Sequence, residues 1–580
     1  MTRIKVITRS PLFFILVSTL FIFLVYLFSL CPTLYLIDSG ELATVSYTLG
    51  VAHPTGYPLY TMISYFISRL PGSPIFNLNL LSALFSTIAA FILLIFFAAD
   101  QKRDSLGINE YVLWLMPVFL FAFAPTVWRT SVTNEVYPLT GLFCVLVFYL
   151  LWRLRSDRDL YLLAYVAGLA FTNHMIVFTL AMPAIIYAII VHRLPWRKIF
   201  ISAVFFAVGL TLYLYLLYRT RGGADVAWGN AFNLERLVWH ITGKQYRVWM
   251  FSSNPTEIAG NLGRGLAILG RDLLYVFVIP VLAGFWSLFK KTRRVGWLLL
   301  AIIVLNILYA VNYSIPDIES YYLPAFIALV FAASHGLKSL QRYLRWPIAL
   351  AICLVIPVVN YRSCTLRGVT FGRDYGLAHI EQLPSRALLI SMYWDIYSPI
   401  MYLTEVEGLR PDLVVIDKEL LRRTWYLKRL EHAYPEFMAR VRPQADQYLK
   451  ELVKFEYGEP YEGAAIQRAY IDLLTGFVDA KMNEGAYLAL PYPDPDLDQV
   501  RREYRRLPFG PDIQFSPDDS LRMAFDFSRL RLAQPQVMND TRLDINLKAF
   551  RNMIRNNVAY LRAMKKETAA QAAEEWLKKN

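Results

Sequence analysis

Cysteine is nearly missing from this chain. Its 580 residues contain four, Cys31, Cys144, Cys353 and Cys364, with no metal-binding spacing among them. That excludes a disulfide framework and a zinc module. Charge is thin as well, at 18% of residues, against 56% hydrophobic. No period of 20–50 residues marks a repeat array. Acidic residues are missing from one particular set of places. The polar stretches 1–9, 101–109, 152–159, 192–198, 290–294 and 338–346 hold 18 Lys/Arg and three Asp/Glu, a balance of +15. The net charge is +14, so the rest of the chain sums to about −1 and leaves no basic patch for nucleic acid.

What is present is apolar sequence in blocks. The segment 11–30 carries no charge, and similar blocks cover 78–99, 111–124, 139–151, 160–171, 175–191, 200–217, 273–289, 295–311, 323–333 and 347–359. A membrane span needs about 20 apolar residues. Several blocks are shorter, so the expectation is about 11 spans, give or take two. The first block is long and has no small-residue cleavage site after it, which favours a span over a signal peptide. Basic residues in alternate short loops set the orientation. They place the N-terminus and the loops around Lys102, Arg155, Arg197, Lys291 and Arg342 in the cytoplasm. Segments 32–77, 127–137, 172–174, 219–262, 312–320 and everything after about 361 then face outward. Cys31 and Cys364 fall near that same face, but a bridge between them is not expected.

Two regions follow, a membrane domain over 1–360 and an extracytoplasmic domain over 361–580. In the second, "ALLIS" (387–391) and "DLVVID" (412–417) read as strands flanking a helix, a small α/β unit. The later segments read as mostly helical, with a loop at "PYPDPDLD" and a charged, solvated helix in the last 24 residues.

The outward segments hold the unusual polar residues. "DSGE" sets Asp38 and Glu41 three apart, on one face if helical. The same pattern is a capping box, and the two readings are compatible. "GVAHPTGYP", with His53 and Tyr57, breaks two amphipathic pieces, 40–50 and 57–70, that read as helices lying along the membrane surface. Glu135 opens a later span, Asn173 and His174 make a tight turn, and Arg219 and Arg221 end another span. His240, Lys244 and Arg247 follow in "HITGKQYR", and Asp317 and Glu319 in "IPDIES". Taken singly, an arginine at a span end is an interfacial anchor and a histidine at a turn is a turn residue. Together, acids and bases gathered from separate elements at one membrane face favour function. An anionic lipid-linked substrate suits such a set: Arg and Lys for its phosphate, carboxylates and amides for sugar hydroxyls, and a carboxylate base for an acceptor hydroxyl.

A resemblance sharpens this. "DSGELATVSYTLGVAHPTGYPLY" and "NLNLLSALFST", then "TNEVYPL", "GLAFTNH", "YLYLLYRTRGG" with "WG", "HITGKQY" and "VEGLRPDLVVI" with "WYLKRL", occur in order between about residues 12 and 430. As a set they resemble a membrane-protein family, long known only as a domain of unknown function, that includes a vertebrate endoplasmic-reticulum protein O-mannosyltransferase. The resemblance implies a polytopic α-helical type C glycosyltransferase fold. It also implies a polyprenyl-phosphate sugar donor and a catalytic acid in the first outer loop, the place of Asp38 with Glu41 beside it. Two departures stand out. The tail shows no helical repeats, and "WRTSV" carries an Arg129 to which no role is given. The first outer loop also lacks an Asp-x-Asp pair, so no divalent metal or other cofactor is expected.

The expected function is transfer of a sugar, mannose by the resemblance, to a hydroxyl of an exported protein, by single displacement with inversion. The site would lie outside the cytoplasmic membrane of a bacterium. His53, Tyr57, Glu135, Asn173, His174, Arg219, Arg221, His240, Lys244, Arg247, Asp317 and Glu319 are the expected substrate-binding residues. Transfer to a lipid or cell-wall glycan is the alternative. A flippase needs a polar path to the cytoplasmic side, and the spans carry few central charges; a silent sugar-lipid binder would have few acids.

Overall fold

The computed structural model of the protein describes residues 11–99, 108–315, 317–341, 343–489, 493–518, 520–532 and 540–579. The expected cytoplasmic N-terminus, the loop at Lys102, Arg342 and the start of the "PYPDPDLD" loop lie outside them. The chain divides into two compact units. The first comprises 1–31, 54–218 and 233–367; the second comprises 32–53, 219–232 and 368–580. The second unit therefore takes in two segments from the N-terminal half, and one of them carries Asp38, Glu41 and His53.

The first unit is helical, and its helices make this an integral multi-pass membrane protein. Among the described residues, seven helices are long and apolar enough to cross a membrane, or eight if Asn109–Phe123 and Pro125–Ser131, bent by 62°, count as one broken span. That count does not reach the expected 11. The 139–151 and 160–171 blocks lie in Tyr137–Arg153 and Asp157–Phe171, of 17 and 15 residues. The 273–289 block is interrupted: Leu274 and Tyr275 take φ of +49° and +55°, and regular helix begins only at Val278. Broad apolar faces stay uncovered by protein on Leu12–Ser29 and Trp196–Arg221, as lipid-facing spans require. Two of the helices, Val278–Lys291 and Leu323–Leu340, cross closely at Gly284 and Gly336, where a Cβ would strike the partner's carbonyl oxygen. All four cysteines are buried and none is joined in a disulfide, Cys31 and Cys364 included.

The second unit is built on a five-stranded sheet of order β2-β1-β3-β5-β4, with β1 Leu388–Ser391, β2 Val414–Asp417, β3 Ala486–Ala489, β4 Arg505–Phe509 and β5 Asp512–Ser516. β1 runs parallel to both neighbours, pairing Leu388 with Val414 and with Ala486. All three of these strands are buried along their whole length, which is why they read as unbroken apolar runs. β5 pairs antiparallel with β3 and forms a hairpin with β4 through Gly510 and Pro511, Gly510 taking φ +58°. The expected α/β unit is present, but β3, β4 and β5 fall where helix was expected. The last 24 residues are not a free solvated helix either. Ala570, Ala573 and Trp576 are buried, the Trp576 indole donates to the Leu530 carbonyl, and its ring lies 5.6 Å from Phe550.

From β1 the chain passes through the helix Trp394–Glu405 to β2 on one side, then returns to β3 on the other. The strand order thus reverses between β1 and β3. In parallel sheets the crevice beyond the carboxyl ends at such a reversal is where ligands collect.

Candidate active site

The first turns of the helix Trp394–Glu405, just beyond the carboxyl end of β1, meet the segment 37–41 at three points. The Trp394 indole N–H donates to Asp38 Oδ1 at 2.7 Å. The Ile37 amide donates to Asp395 Oδ1 at 2.9 Å. The Glu41 amide donates to Ser398 Oγ at 3.0 Å. That last bond corrects the capping-box reading. Asp38 occupies the N-cap of the helix Ser39–Thr48, but its carboxylate caps nothing. A hydroxyl from another helix meets the amide instead, which frees the carboxylate for other work. Gly40 permits this approach, since a Cβ there would overlap the Ser398 carbonyl. The helix Ser39–Thr48 is buried within protein from Ser39 to Ser46.

Glu41 is fully buried and spent on His53. Its Oε1 accepts the His53 amide at 2.8 Å, and its Oε2 lies 2.6 Å from His53 Nδ1. With Nδ1 turned to Glu41, Nε2 faces Asp38 Oδ2 across 3.8 Å. Burial pushes the Asp38 carboxyl above the usual carboxylate range and Glu41 adds to the rise; His53, the Trp394 bond and Arg542 pull it back. The result is a partly exposed carboxylate beside an imidazole, each held on one side. A ligand atom from each of Asp38, Glu41 and His53 lies within 4.8 Å of the others, so a cation is a possible occupant by distance. The direct Glu41–His53 bond uses two of those donors on each other.

Aromatic rings wall this group. Trp228 lies 5.9 Å from His53, 5.6 Å from Trp394 and 4.8 Å from Trp425, ring centre to ring centre. Arg219 and Arg221 belong to the same unit but are turned to backbone. Arg219 Nε donates to the Leu49 carbonyl at 2.6 Å and its NH2 group reaches that of Thr48 at 3.4 Å, a cation closing the carboxyl end of the helix Ser39–Thr48. Arg221 Nε donates to Phe232 O at 2.8 Å.

The other expected residues fall in the first unit, where several form a second cluster. Tyr57 stacks on His174 at 5.8 Å, and Tyr137 and Tyr321 close around the same imidazole at 5.2 and 5.3 Å. Neighbouring Asn173 is buried, its amide donating to Val136 O and Thr140 Oγ1. The Glu135 amide donates to Ser82 Oγ. Glu319 forms a two-armed pair with Arg271, its oxygens 3.2 and 3.0 Å from the guanidinium, so it is committed elsewhere. The Lys244 ammonium sits 3.1 Å from the Trp239 ring centre. His240 is buried beside Gly56, Arg247 is exposed on the turn Lys244–Trp249, and Asp317 precedes the turn Ile318–Tyr322.

Trp394, Asp395, Ser398, Arg542 and Asn546 were not among the expected site residues. A signal for the first two exists: "MYWD" follows directly on the apolar run 387–391, at the carboxyl end of a parallel strand. Arg542 and Asn546 lie about 500 residues from Asp38, and no spacing announces them.

Comparison with known proteins agrees with the resemblance. Residues 38–198 match the family described as the protein O-mannosyl-transferase TMEM260 N-terminal domain. Protein O-mannosyl-transferase TMEM260 of Mus musculus is 27% identical over 445 residues, 69% of this chain and 61% of the mouse protein. The Dictyostelium discoideum protein of that name is 21% identical over 500 residues, 73% of this chain and 59% of its own. The chain thus spans about three fifths of the length of these relatives. Among solved structures, ArnT from Cupriavidus metallidurans, in its apo state and bound to undecaprenyl phosphate, resembles it with TM-score 0.48 and 12% identity. Each covers 91% of the ArnT chain and 72% or 71% of this one. The mycobacterial arabinofuranosyltransferase AftD resembles it with TM-score 0.42 and 14% identity, over 72% of this chain and 32% of that one. At these scores the structural likenesses decide neither fold nor function.

Proposed function

We propose that the protein is a membrane glycosyltransferase of the type C class that moves a sugar, mannose by its relatives' name, from a polyprenyl-phosphate donor to a hydroxyl of an exported protein. The observation that carries this is the trio Asp38–Glu41–His53 beside the carboxyl end of β1, within the stretch 38–198 that matches the O-mannosyl-transferase N-terminal domain. An acceptor hydroxyl is a weak nucleophile until a base removes its proton within about 3 Å. Asp38 Oδ2 is the open carboxylate oxygen. With Oδ1 held by Trp394, the group needs no reorientation at the moment of transfer, and a raised pKa makes it a stronger base while it is ionised. Glu41 fixes the His53 ring so that Nε2 shares the space in front of Oδ2. One base and no covalent intermediate give inversion at the anomeric carbon. The tryptophans around His53 offer apolar faces suited to a sugar ring.

The reaction in this reading uses no metal, because the loop has no Asp-x-Asp pair. Purified protein in lipid discs, given a panel of labelled polyprenyl-phosphate sugars and acceptor peptides rich in Ser and Thr, tests the whole proposal. Mannosylated peptide of inverted configuration, formed equally with and without a chelator, is the expected product. Labelled lipid or glycan with unmodified peptide would replace the acceptor, and chelator-sensitive turnover restored by a divalent cation would make the trio a metal site.

A further inference from the structure

The far C-terminal helix Thr541–Ala563 reaches the loop that carries Asp38. The Tyr35 hydroxyl donates to the carboxylate of Asp540, the N-cap of that helix. One turn further along, Arg542 Nε and Asn546 Nδ2 donate to Asp395 Oδ2 at 2.7 and 2.9 Å. Asp395 is fully buried, and its other oxygen accepts the Ile37 amide. Ile37 itself has φ +63°. A β-branched residue in the left-handed region is a true outlier, and it persists only where its surroundings hold it there.

We infer that Asp395, clamped by Arg542 and Asn546, is the positioning residue of the active site: it holds Ile37 in its left-handed conformation and so aims the carboxylate of Asp38. Ile37 directly precedes Asp38, so its backbone angles set where the Asp38 side chain points. Released from Asp395, Ile37 relaxes to negative φ, and the carboxylate swings away from His53 Nε2 and from the acceptor. A displacement of about 1 Å at a reacting group is enough to cost on the order of 100-fold in rate. Two donors from the C-terminal helix and one from the loop satisfy the buried carboxylate. The tail beyond 430 thereby gains a role in turnover.

The inference rests on Asp38 being the base, and the test separates the two. Turnover is followed with polyprenyl-phosphate mannose and acceptor peptide in full-length protein in lipid discs, per molecule of monodisperse protein. Asp395→Asn keeps the shape and turns an amide toward Arg542; kcat should fall about 10- to 100-fold, with the donor KM within about twofold. Adding Ile37→Gly, which removes the steric penalty at that φ, should restore several-fold of the lost kcat. A residue that only supports folding would lower yield and melting temperature and would not be rescued by a glycine. Should Asp395→Asn fail to fold, Asn546→Ala removes one donor and leaves the ion pair; it should show a kcat drop of about three- to tenfold with the same glycine rescue. Normal kcat in the folded variant, or no rescue, overturns the inference. Asp38→Asn is measured alongside: if it is inactive while Asp395→Asn turns over normally, the positioning role alone falls; if Asp38→Asn is active, the base assignment falls and takes the positioning role with it.

Discussion

Asp38 is a carboxylate under opposing influences, and its consequences are those of a single residue. Burial and Glu41 hold its pKa above the usual range, against His53, Trp394 and Arg542. Only the ionised form accepts a proton, so activity is lost as pH falls through that raised value. The acid limb of the kcat profile should therefore sit above the ordinary aspartate value of about 3.9. Asp38→Asn should fold normally, because the side chain caps no helix, and lose roughly 100-fold or more in rate, within the range of a general base. If His53→Gln is the dead variant and Asp38→Asn the active one, the imidazole held by Glu41 is the base. Arg219 was expected to meet the donor phosphate. Its bonds to Leu49 O and Thr48 O add a structural share. Arg219→Ala should lower the melting temperature as well as turnover, and Arg219→Lys should restore part of each; a lowered melting temperature with full turnover would leave only the structural share.

At the scale of elements, the helix Ser39–Thr48 is held by the first turns of another helix rather than by its own N-cap. Gly40→Ala drives a methyl group into the Ser398 carbonyl. Such overpacking costs about 1–3 kcal/mol, occasionally more, and here it should also lower turnover, since the same contact places Asp38; a thermal melt and a rate assay at one pH check both. The sheet offers a second test at the end of β2. Asp417 is buried, and burial pushes its pKa to about 7. A raised acid keeps a proton in the folded state that the unfolded chain has lost, so stability falls as pH rises from about 4 to 7. Asp417→Asn can still accept the Leu420 amide. Its unfolding free energy, measured by denaturant titration, should match the parent near pH 4 and exceed it at pH 8 by a few kcal/mol, at about 1.4 kcal/mol per pKa unit. A constant difference across that range would show that Asp417 is not the titrating group.

For the whole molecule, the sharpest question is which side of the membrane carries the second unit. The alternating basic loops predict that it lies outside. Every native cysteine is buried, so background labelling should be low. Ser520 is exposed. Ser520→Cys should react with an impermeant maleimide added to intact cells, and Ser105→Cys should react only after the membrane is opened. The reverse pattern would turn the protein over and carry the site to the cytoplasmic face.

The sequence by itself determined the class of molecule. Long charge-free runs can satisfy their backbone in lipid only as helices, and the runs at 387–391 and 412–417 needed burial on both faces, which a parallel sheet supplies. It also exposed Asp38, Glu41 and His53, because acids and a histidine are costly among apolar residues and stand out there. Span number was less legible, since hydropathy cannot show where Leu274 and Tyr275 turn the chain. The short strands β3 to β5 were hidden for a similar reason: four or five residues carry too little periodicity to outvote helical neighbours. Only tertiary structure shows what each acid touches. Whether Asp38 caps a helix or faces a substrate depends on Ser398, some 360 residues away, and how it is aimed depends on Asp395 and Arg542. Hydrogen bonds of that kind join residues that chain folding brings together, and no local pattern of residues encodes them.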